Sequence, residues 1–342
     1  MDKTGHPIRA LIKKIEQKQD LSIEESEQFI EQMIDESTTD SAIEEALLAY
    51  SQKEPVAQEL IGFLKFLRSK KLNIKVDEDT VDNCGTGGSG MLRINTSTLA
   101  SFVAAAGGVK MAKHGNKAAS GRCGSFDVLE AAGVNIQLNP NQAQQAYDQL
   151  GLTYLYAPLF HPVMKRVAQA RKKIETYTIF NILGPLSNPA QVKRQVIGVS
   201  QAKYVPLIIE ALQYFEAQHV VLVRGDYGLD ELTVTGASQI WDIKGKEVEE
   251  YSIHPKDFGV EPCKMAYIKG GDIEYNRRVF FSVLENKDRE YRTEQVLFNA
   301  AAALYVAGKA DSILKAYPIA QELLASKKAH KKFIEYRDFS NQ

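Results

Sequence analysis

Residues Asp82–Asp127 read DNCGTGGSGMLRINTSTLASFVAAAGGVKMAKHGNKAASGRCGSFD. Two small-residue loops, Gly85–Gly90 and Lys113–Gly124, flank one apolar segment. Thr80–Cys84 reads as a strand that runs into the first loop. Leu99–Ala106 reads as a helix with Asn95, Ser97 or Thr98 as its cap. Val109–Ala112 reads as a second short strand that delivers Lys113 and His114 at its end, and Asp127–Ala132 as a helix stopped by Gly133. Short apolar runs alternating with helical patterns mark an α/β domain. Ligands of such sheets sit outside the carboxyl ends of the strands, where both loops fall.

The composition of the loops suits anions. Glycine lets a ligand approach main-chain N–H groups closely, and helix N-termini add unpaired donors and partial positive charge. GTGG opens no G-x-G-x-x-G fingerprint and no Walker loop. The hydroxyl run Asn95-Thr96-Ser97-Thr98 can cap a helix, donate to phosphate or ligate magnesium. In the second loop Lys113, His114, Asn116, Lys117, Ser120 and Arg122 crowd among Gly115, Gly121 and Gly124, which matches an anion cradle. Farther on, the Asp230-Glu231 pair offers hard oxygen ligands to magnesium. No G-x-S-x-G and no histidine–cysteine arrangement supplies a nucleophile, so positioning and charge stabilisation are left as the main catalytic terms.

Outward from this stretch the texture changes. Before Leu72 the apolar spacing predicts four amphipathic helices, with capping boxes at Ser22/Glu25 and Ser41/Glu44 and Pro55 in a first turn. This is a small helical lobe, and part of its apolar surface suits a dimer face. After the second loop, Gln142–Leu150 and Pro162–Lys173 read as helices, and Asn181–Ala190, with two prolines and a glycine, as an irregular hinge or pocket wall. Val196–Val199 and Val220–Val223 read as buried strands around a helix at Val205–Phe215. Ile240–Ile243 and Val248–Ile253 read as an antiparallel pair, and Thr293–Phe333 as mostly helix.

The bulk numbers exclude some classes. With 42 basic and 43 acidic residues the net charge is -1, against a sequence-independent nucleic-acid binder, and no nucleic-acid partner is expected. No apolar run reaches the roughly 20 residues of a membrane span. Three cysteines without metal-ligand spacing suit a reducing, cytoplasmic setting.

In order along the chain, GTGGSG, the Asn95–Thr98 run, KHGNKAASGRCGSFDVLEAAG, HPVMK with a following arginine, TIFNILGPLSNPA, GLDEL and LFNAAAALYVAG resemble the anthranilate phosphoribosyltransferase family over nearly the whole length. KHGN with GS-x-D-VLEA is shared with pyrimidine nucleoside phosphorylases, whereas TIFNILGPLSNPA with GLDEL is specific to the transferase branch. The resemblance implies an α/β fold: a small all-helical N-terminal lobe (1–75, with part of 161–190) and a large lobe (76–342) around a mixed, mostly parallel sheet. It implies a homodimer through the helical lobe, and a magnesium-dependent (Mg2+) transfer of phosphoribose from phosphoribosyl pyrophosphate to the amine of anthranilate.

The resemblance also assigns residues. Gly85, Gly88, Ser89, Arg93, Asn95, Ser97 and Thr98 fall at the pyrophosphate loop. Lys113, His114, Gly115, Asn116, Lys117, Ala118, Ala119, Ser120, Gly121 and Ser125 fall at the second phosphate loop. Gly85, His114, Asn116 and Arg171 match anthranilate contacts, and a guanidinium at Arg171 can grip a carboxylate bidentately. Ser97, Asp230 and Glu231 match magnesium ligands, and Lys113, Asn116 and Arg171 the catalytic set. The chain departs from the usual pattern at Ser89 (aspartate), Arg93 (threonine), Lys117 (arginine), Cys123 (serine) and Tyr177 (arginine). A paralogue with another aromatic amine, a pyrimidine nucleoside phosphorylase and a non-catalytic nucleic-acid-binding relative are the alternatives.

Overall fold

The computed structural model describes residues 7–118, 123–174, 178–288 and 290–342. Four helices open the chain: α1 (Ile8–Glu16), α2 (Ile23–Ile34), α3 (Asp40–Gln52) and α4 (Ala57–Lys70). Their apolar stripes bury Ile12, Phe29, Ile43 and Phe63 against one another. The box at α2 is present, with Ser22 Oγ accepting the Glu25 N–H at 3.2 Å and Glu25 accepting the Ser22 N–H at 2.9 Å. At α3 the cap is Thr39, which accepts from the Ala42 N–H at 3.3 Å, and not Ser41. The run Thr39-Asp40-Ser41 holds three residues able to cap, and the earliest one takes the position.

The large lobe follows as β1 (Val81–Gly85), α5 (Thr96–Ala106), β2 (Met111–Gly115), α6 (Ser125–Ala131), α7 (Pro140–Leu150), β3 (Leu152–Tyr156), α8 (Ala157–Phe160), α9 (Lys165–Ile174) and α10 (Ile179–Leu186). It continues through β4 (Arg194–Gly198), α11 (Val205–Tyr214), β5 (His219–Gly225), β6 (Ser238–Lys244), β7 (Glu247–Ile253), α12 (Ile273–Leu284), α13 (Tyr291–Val306), α14 (Ile313–Ala325) and α15 (Lys328–Ser340). The described strands form one sheet in the order β3-β2-β1-β4-β5-β6-β7. β3 to β5 are parallel, and β6 and β7 return antiparallel around the turn at Lys244-Gly245. The chain winds one way from β1 to β3 and the other way from β4 on. The carboxyl ends of β1 and β4 are therefore the switch point, where an open sheet leaves a crevice for ligands.

Both faces of the sheet are covered. α5 and α13 cover one face with wholly buried residues such as Phe102, Val296 and Leu304. Ile197, Val220, Leu222 and Ile243 on the other face pack with α11 and α10, and this core runs without a break into the helical lobe. Val167, Ala170, Phe180 and Leu183 of α9 and α10 belong to the same cluster as α1–α4.

Three local expectations change. Asn181–Ala190 is not irregular throughout: α10 runs to Leu186 with Pro185 inside it. Pro185 stands in the last turn, so its missing N–H removes only one intrahelical bond. Thr178 and Asn181 fix the start of the helix, the Asn181 Oδ1 accepting the Thr178 N–H at 3.0 Å. β2 runs through Lys113 to Gly115, so Lys113 and His114 are strand residues whose side chains go into the interior. β3, whose residues are LTYLY, and α12 were not expected from the sequence. Among the described residues no helix is long and apolar enough to cross a membrane.

Candidate functional site

A cavity of about 1010 Å³ opens at the carboxyl ends of β1, β2 and β4. Both glycine loops, the start of α5, Arg171 of α9 and the Asp230-Glu231 turn border it. Close approach of main chains builds its floor. A Cβ on Gly198 would lie 1.7 Å from the Asp230 carbonyl oxygen, and one on Gly85 would lie 2.3 Å from Asp230 Oδ2. Only glycine at the ends of β1 and β4 lets the 230–231 turn settle onto the sheet.

That turn is gripped from α13. Gln295 Nε2 donates to Glu231 Oε1 at 3.0 Å, and Asn299 Nδ2 to the Leu232 carbonyl at 2.9 Å. In return Gln295 Oε1 accepts the Val234 N–H and Asn299 Oδ1 the Leu232 N–H, each at 3.0 Å. Neither amide was singled out from the sequence. Two amides four residues apart on an otherwise apolar, buried helix are the signal that could have found them.

Asp230 and Glu231 do come together at the cavity, but they already hold a cation. The Arg93 guanidinium contacts Asp230 Oδ1, and its Nη1 lies 3.3 Å from Glu231 Oε2. The Gly87 N–H donates to Asp230 Oδ2 at 2.8 Å. With Gln295 on Glu231 Oε1, each of the four carboxylate oxygens has a protein partner. The three side chains are 17%, 6% and 11% exposed for Arg93, Asp230 and Glu231. Burial alone would lower the Arg93 pKa, but Asp230 and then Glu231 hold it above its ordinary value. Burial pushes the Glu231 carboxyl up, with Arg93 opposing. Two unit charges roughly 4 Å apart interact by about 4 kcal/mol at an effective dielectric of about 20, and a dication would meet about twice that repulsion from a guanidinium. Among the described residues no group of three or more His, Cys, Asp or Glu side chains converges on one point. The pair, as arranged here, does not fit a resident magnesium ion. Arg93, expected at a phosphate, is turned onto these acids.

The first loop is latched from behind. Asn276 Nδ2 donates to the Arg93 carbonyl at 3.1 Å and to Asn95 Oδ1 at 2.9 Å. Asn95 in turn donates to the Cys123 carbonyl at 3.3 Å, so it joins the two loops instead of capping α5 through its side chain. Ser97 and Thr98 occupy the first turn of α5. Gly88 and Ser89 lie on the rim of the cavity.

In the second loop, Asp127 does the holding: Oδ2 accepts the Ala118 and Gly124 N–H groups, each at 2.8 Å. Ser125 Oγ donates to the Asn116 carbonyl at 3.2 Å, and Asn116 is exposed at the cavity wall. Lys117 reaches sideways to Glu130 at 2.8 Å. Ala119, Ser120, Gly121 and Arg122, and Tyr177, lie outside the described residues.

Lys113 borders the cavity from below. Its side chain is 1% exposed and its ammonium donates to the Asn83 carbonyl of β1. Burial lowers its pKa, with Asp82 opposing. Asp82 is wholly buried and accepts from Asn188 Nδ2 at 2.8 Å and from the His114 N–H at 3.3 Å. This cluster staples β1 to β2 beneath the loops. His114 stands edge-on to His161, ring centroids 5.4 Å apart. Burial takes the pKa of His114 down to about 3 and that of His161 down to about 4, so both are neutral near pH 7. Arg171 Nη2 donates to Asn181 Oδ1 at 3.2 Å and its guanidinium lies 5.5 Å from the Phe180 ring centre.

Comparison with known proteins now bears on the cavity. A family model described as "Glycosyl transferase family, a/b domain" matches residues 77–330, and its "helical bundle domain" matches 9–71. The anthranilate phosphoribosyltransferase of Persephonella marina is 37% identical over 97% of this chain and 99% of its own. That of Methanosarcina acetivorans is 41% identical over 97% and 90%. The chain belongs to the anthranilate phosphoribosyltransferase family. Within the family, the solved Thermus thermophilus structure superposes with a TM-score of 0.89 at 32% identity, covering 97% of this chain and 99% of that one. The Saccharomyces cerevisiae structure in complex with PRPP and Mg shares the fold at a TM-score of 0.89 and 22% identity, with 99% of each chain covered.

Proposed function

We infer that the protein transfers the 5-phosphoribosyl group of phosphoribosyl pyrophosphate to the amine of anthranilate, releasing pyrophosphate, in tryptophan biosynthesis. The observation that carries this reading is convergence. In a chain that matches the family end to end, both glycine loops, the α5 N-terminus and Arg171 border one cavity at the switch point of the sheet.

The donor's diphosphate is assigned to the first loop and the α5 start: Gly85, Gly88, Ser89, Asn95, Ser97 and Thr98. There main-chain N–H groups and the helix terminus favour negative charge. The ribose phosphate side is assigned to His114 through Gly121 and Ser125. Asn116 and Arg171 are assigned to the acceptor, the guanidinium pairing with the anthranilate carboxylate. Lys113 acts from beneath as a positioning residue that fixes the strand ends. Magnesium enters with the diphosphate as part of the substrate, and the Saccharomyces cerevisiae complex with PRPP and Mg supports that form of the donor.

The chemistry is then substitution at C1 of the ribose. The C1–O bond to pyrophosphate breaks as positive charge grows on the ring, and the loop dipoles take up the leaving charge. The anthranilate amine attacks C1 from the opposite face and then gives up its proton to the departing pyrophosphate or to solvent. An aniline nitrogen is largely unprotonated at neutral pH, so it needs no strong base, and neutral His114 and His161 on the wall suit that. Closure of the helical lobe over the cavity excludes water that would hydrolyse the donor. The reading extends to a cytoplasmic homodimer joined through the helical lobe. Support comes from three unbridged cysteines and from Leu48 of α3, left 45% exposed.

Mixing enzyme, phosphoribosyl pyrophosphate, magnesium and anthranilate should consume anthranilate fluorescence. No consumption at high enzyme concentration overturns the assignment.

A further inference from the structure

Arg93 occupies the carboxylates that the cavity would otherwise offer to a metal. The cluster is held from both sides. The Arg93 main chain is fixed by Asn276 at 3.1 Å, and the Gly270 N–H donates to the preceding Leu92 carbonyl at 3.0 Å. The carboxylates are fixed by the Gly87 N–H at 2.8 Å and by Gln295 at 3.0 Å. The guanidinium fork thus spans Asp230 and Glu231 in a frame made wholly of protein contacts. Both Arg93 and Lys113 border the cavity, but the Arg93 side chain is 17% exposed where Lys113 is 1% exposed.

We propose that Arg93 takes the place of a divalent ion on Asp230 and Glu231, so that this carboxylate pair binds no metal of its own and the reaction draws on the magnesium carried by the donor. A guanidinium is always charged, planar and weakly hydrated, which suits two carboxylates side by side. It neutralises one of their two charges and occupies an oxygen of each carboxylate, which leaves a second cation a weaker field and fewer open oxygens. The cost is that the site cannot gain charge as divalent ion concentration rises. The benefit is that the positive end is in place at any magnesium level. The proposal rests on the reading of the cavity as the donor site.

Manganese alone, without donor, is the probe. In substrate-free wild-type protein at millimolar Mn2+, electron paramagnetic resonance should show no equivalent of bound ion at this cluster. Arg93→Thr should take up a single equivalent, and Arg93→Thr/Asp230→Asn should lose it. Arg93→Lys, which keeps the charge, should exclude the ion as the wild type does. In turnover, the wild type should saturate once magnesium matches the donor, whereas Arg93→Thr should need a several-fold excess. A wild-type crystal soaked in manganese decides the matter without any variant: an anomalous peak between Asp230 and Glu231 overturns the proposal, and its absence supports it. A folded Arg93→Thr that takes up no manganese also overturns it, because the carboxylates would then have no metal for Arg93 to replace. Failure of the underlying reading is distinguishable, because it appears as unchanged anthranilate fluorescence whatever the manganese pattern.

Discussion

The two glycine loops look alike in sequence and are held in opposite ways. The first is tied by partners far along the chain: Arg93 to Asp230 and Glu231, Gly87 to Asp230, and Asn276 to Arg93 and Asn95. The second, over its described residues, is tied mostly by neighbours: Asp127 to Ala118 and Gly124, Ser125 to Asn116, and Lys117 to Glu130. A loop fastened to distant elements is positioned by the whole fold. A loop fastened to the helix it leads into is positioned by that helix. In the proposed reaction the first loop must hold a leaving group in register with the sheet. The second has only to cradle a phosphate that stays attached to the sugar.

If that difference is real, cutting a distant tie should cost most. Asp230→Ala removes a partner of the buried Arg93 and of the Gly87 N–H together. Breaking a buried pair from one side costs about 3–5 kcal/mol. Glu231 remains beside Arg93, so the loss is expected at about 3 kcal/mol in denaturant unfolding, with the donor KM raised at least tenfold. A loss below about 1 kcal/mol would mean that Arg93 repairs itself on Glu231 and that the first loop is not held as described.

Acid provides a second test, directed at the base of the second loop. His114 and His161 have folded pKa values of about 3 and about 4, below the unfolded value of about 6.5. A depressed pKa means that the unfolded chain binds more protons. The stability from keeping these rings neutral is therefore complete above about pH 6.5 and is lost as pH falls toward 4, at up to about 1.4 kcal/mol per pH unit for each ring. Between pH 7 and 5 the two rings together give an expected fall of about 3–4 kcal/mol, read from urea midpoints. His114→Gln should remove about half of the slope. A parallel profile for the variant would show that His114 ionises elsewhere or not at all in this range.

The same contrast explains what the sequence could tell. The four N-terminal helices, the strands around both loops, the β6–β7 pair and the cap at Ser22 rest on patterns within a few residues, and all were legible. So was the candidate cavity, because glycines, hydroxyls and cations cluster within the Asp82–Asp127 stretch itself. The Arg93–Asp230 pair spans 137 residues, and Asn276 meets Arg93 across 183, so no local pattern announces them. Lys113 read as a loop cation because β2 was ended at Ala112, three residues short of Gly115, and the sheet buries it between its neighbours. Asn181–Ala190 was misread because proline was taken to exclude a helix, when a last-turn proline costs only one bond. Asp127 was legible in principle, since an acid three residues after Gly124 is an N-terminal capping position, but it was read as the start of the helix.

The smallest effects test the local side of the comparison. Asp127→Ala deletes two charge-assisted bonds to the Ala118 and Gly124 N–H groups, both part-buried. Hydrogen bonds to charged groups contribute roughly 1.5–3 kcal/mol each, but backbone that is only part-buried can turn to water in exchange. The expected loss is about 1–2 kcal/mol, with the donor KM raised a few-fold and kcat little changed. Lys117→Ala, by contrast, removes only an ion pair whose partners are 36% and 52% exposed. Such a pair contributes about 0–0.5 kcal/mol, and less in high salt. If Lys117→Ala nevertheless raises the donor KM tenfold, then Lys117 leaves Glu130 to meet the phosphate when the donor binds. The second loop would then be fastened by its ligand and not by its own helix, and the contrast between the two loops would hold only for the empty site.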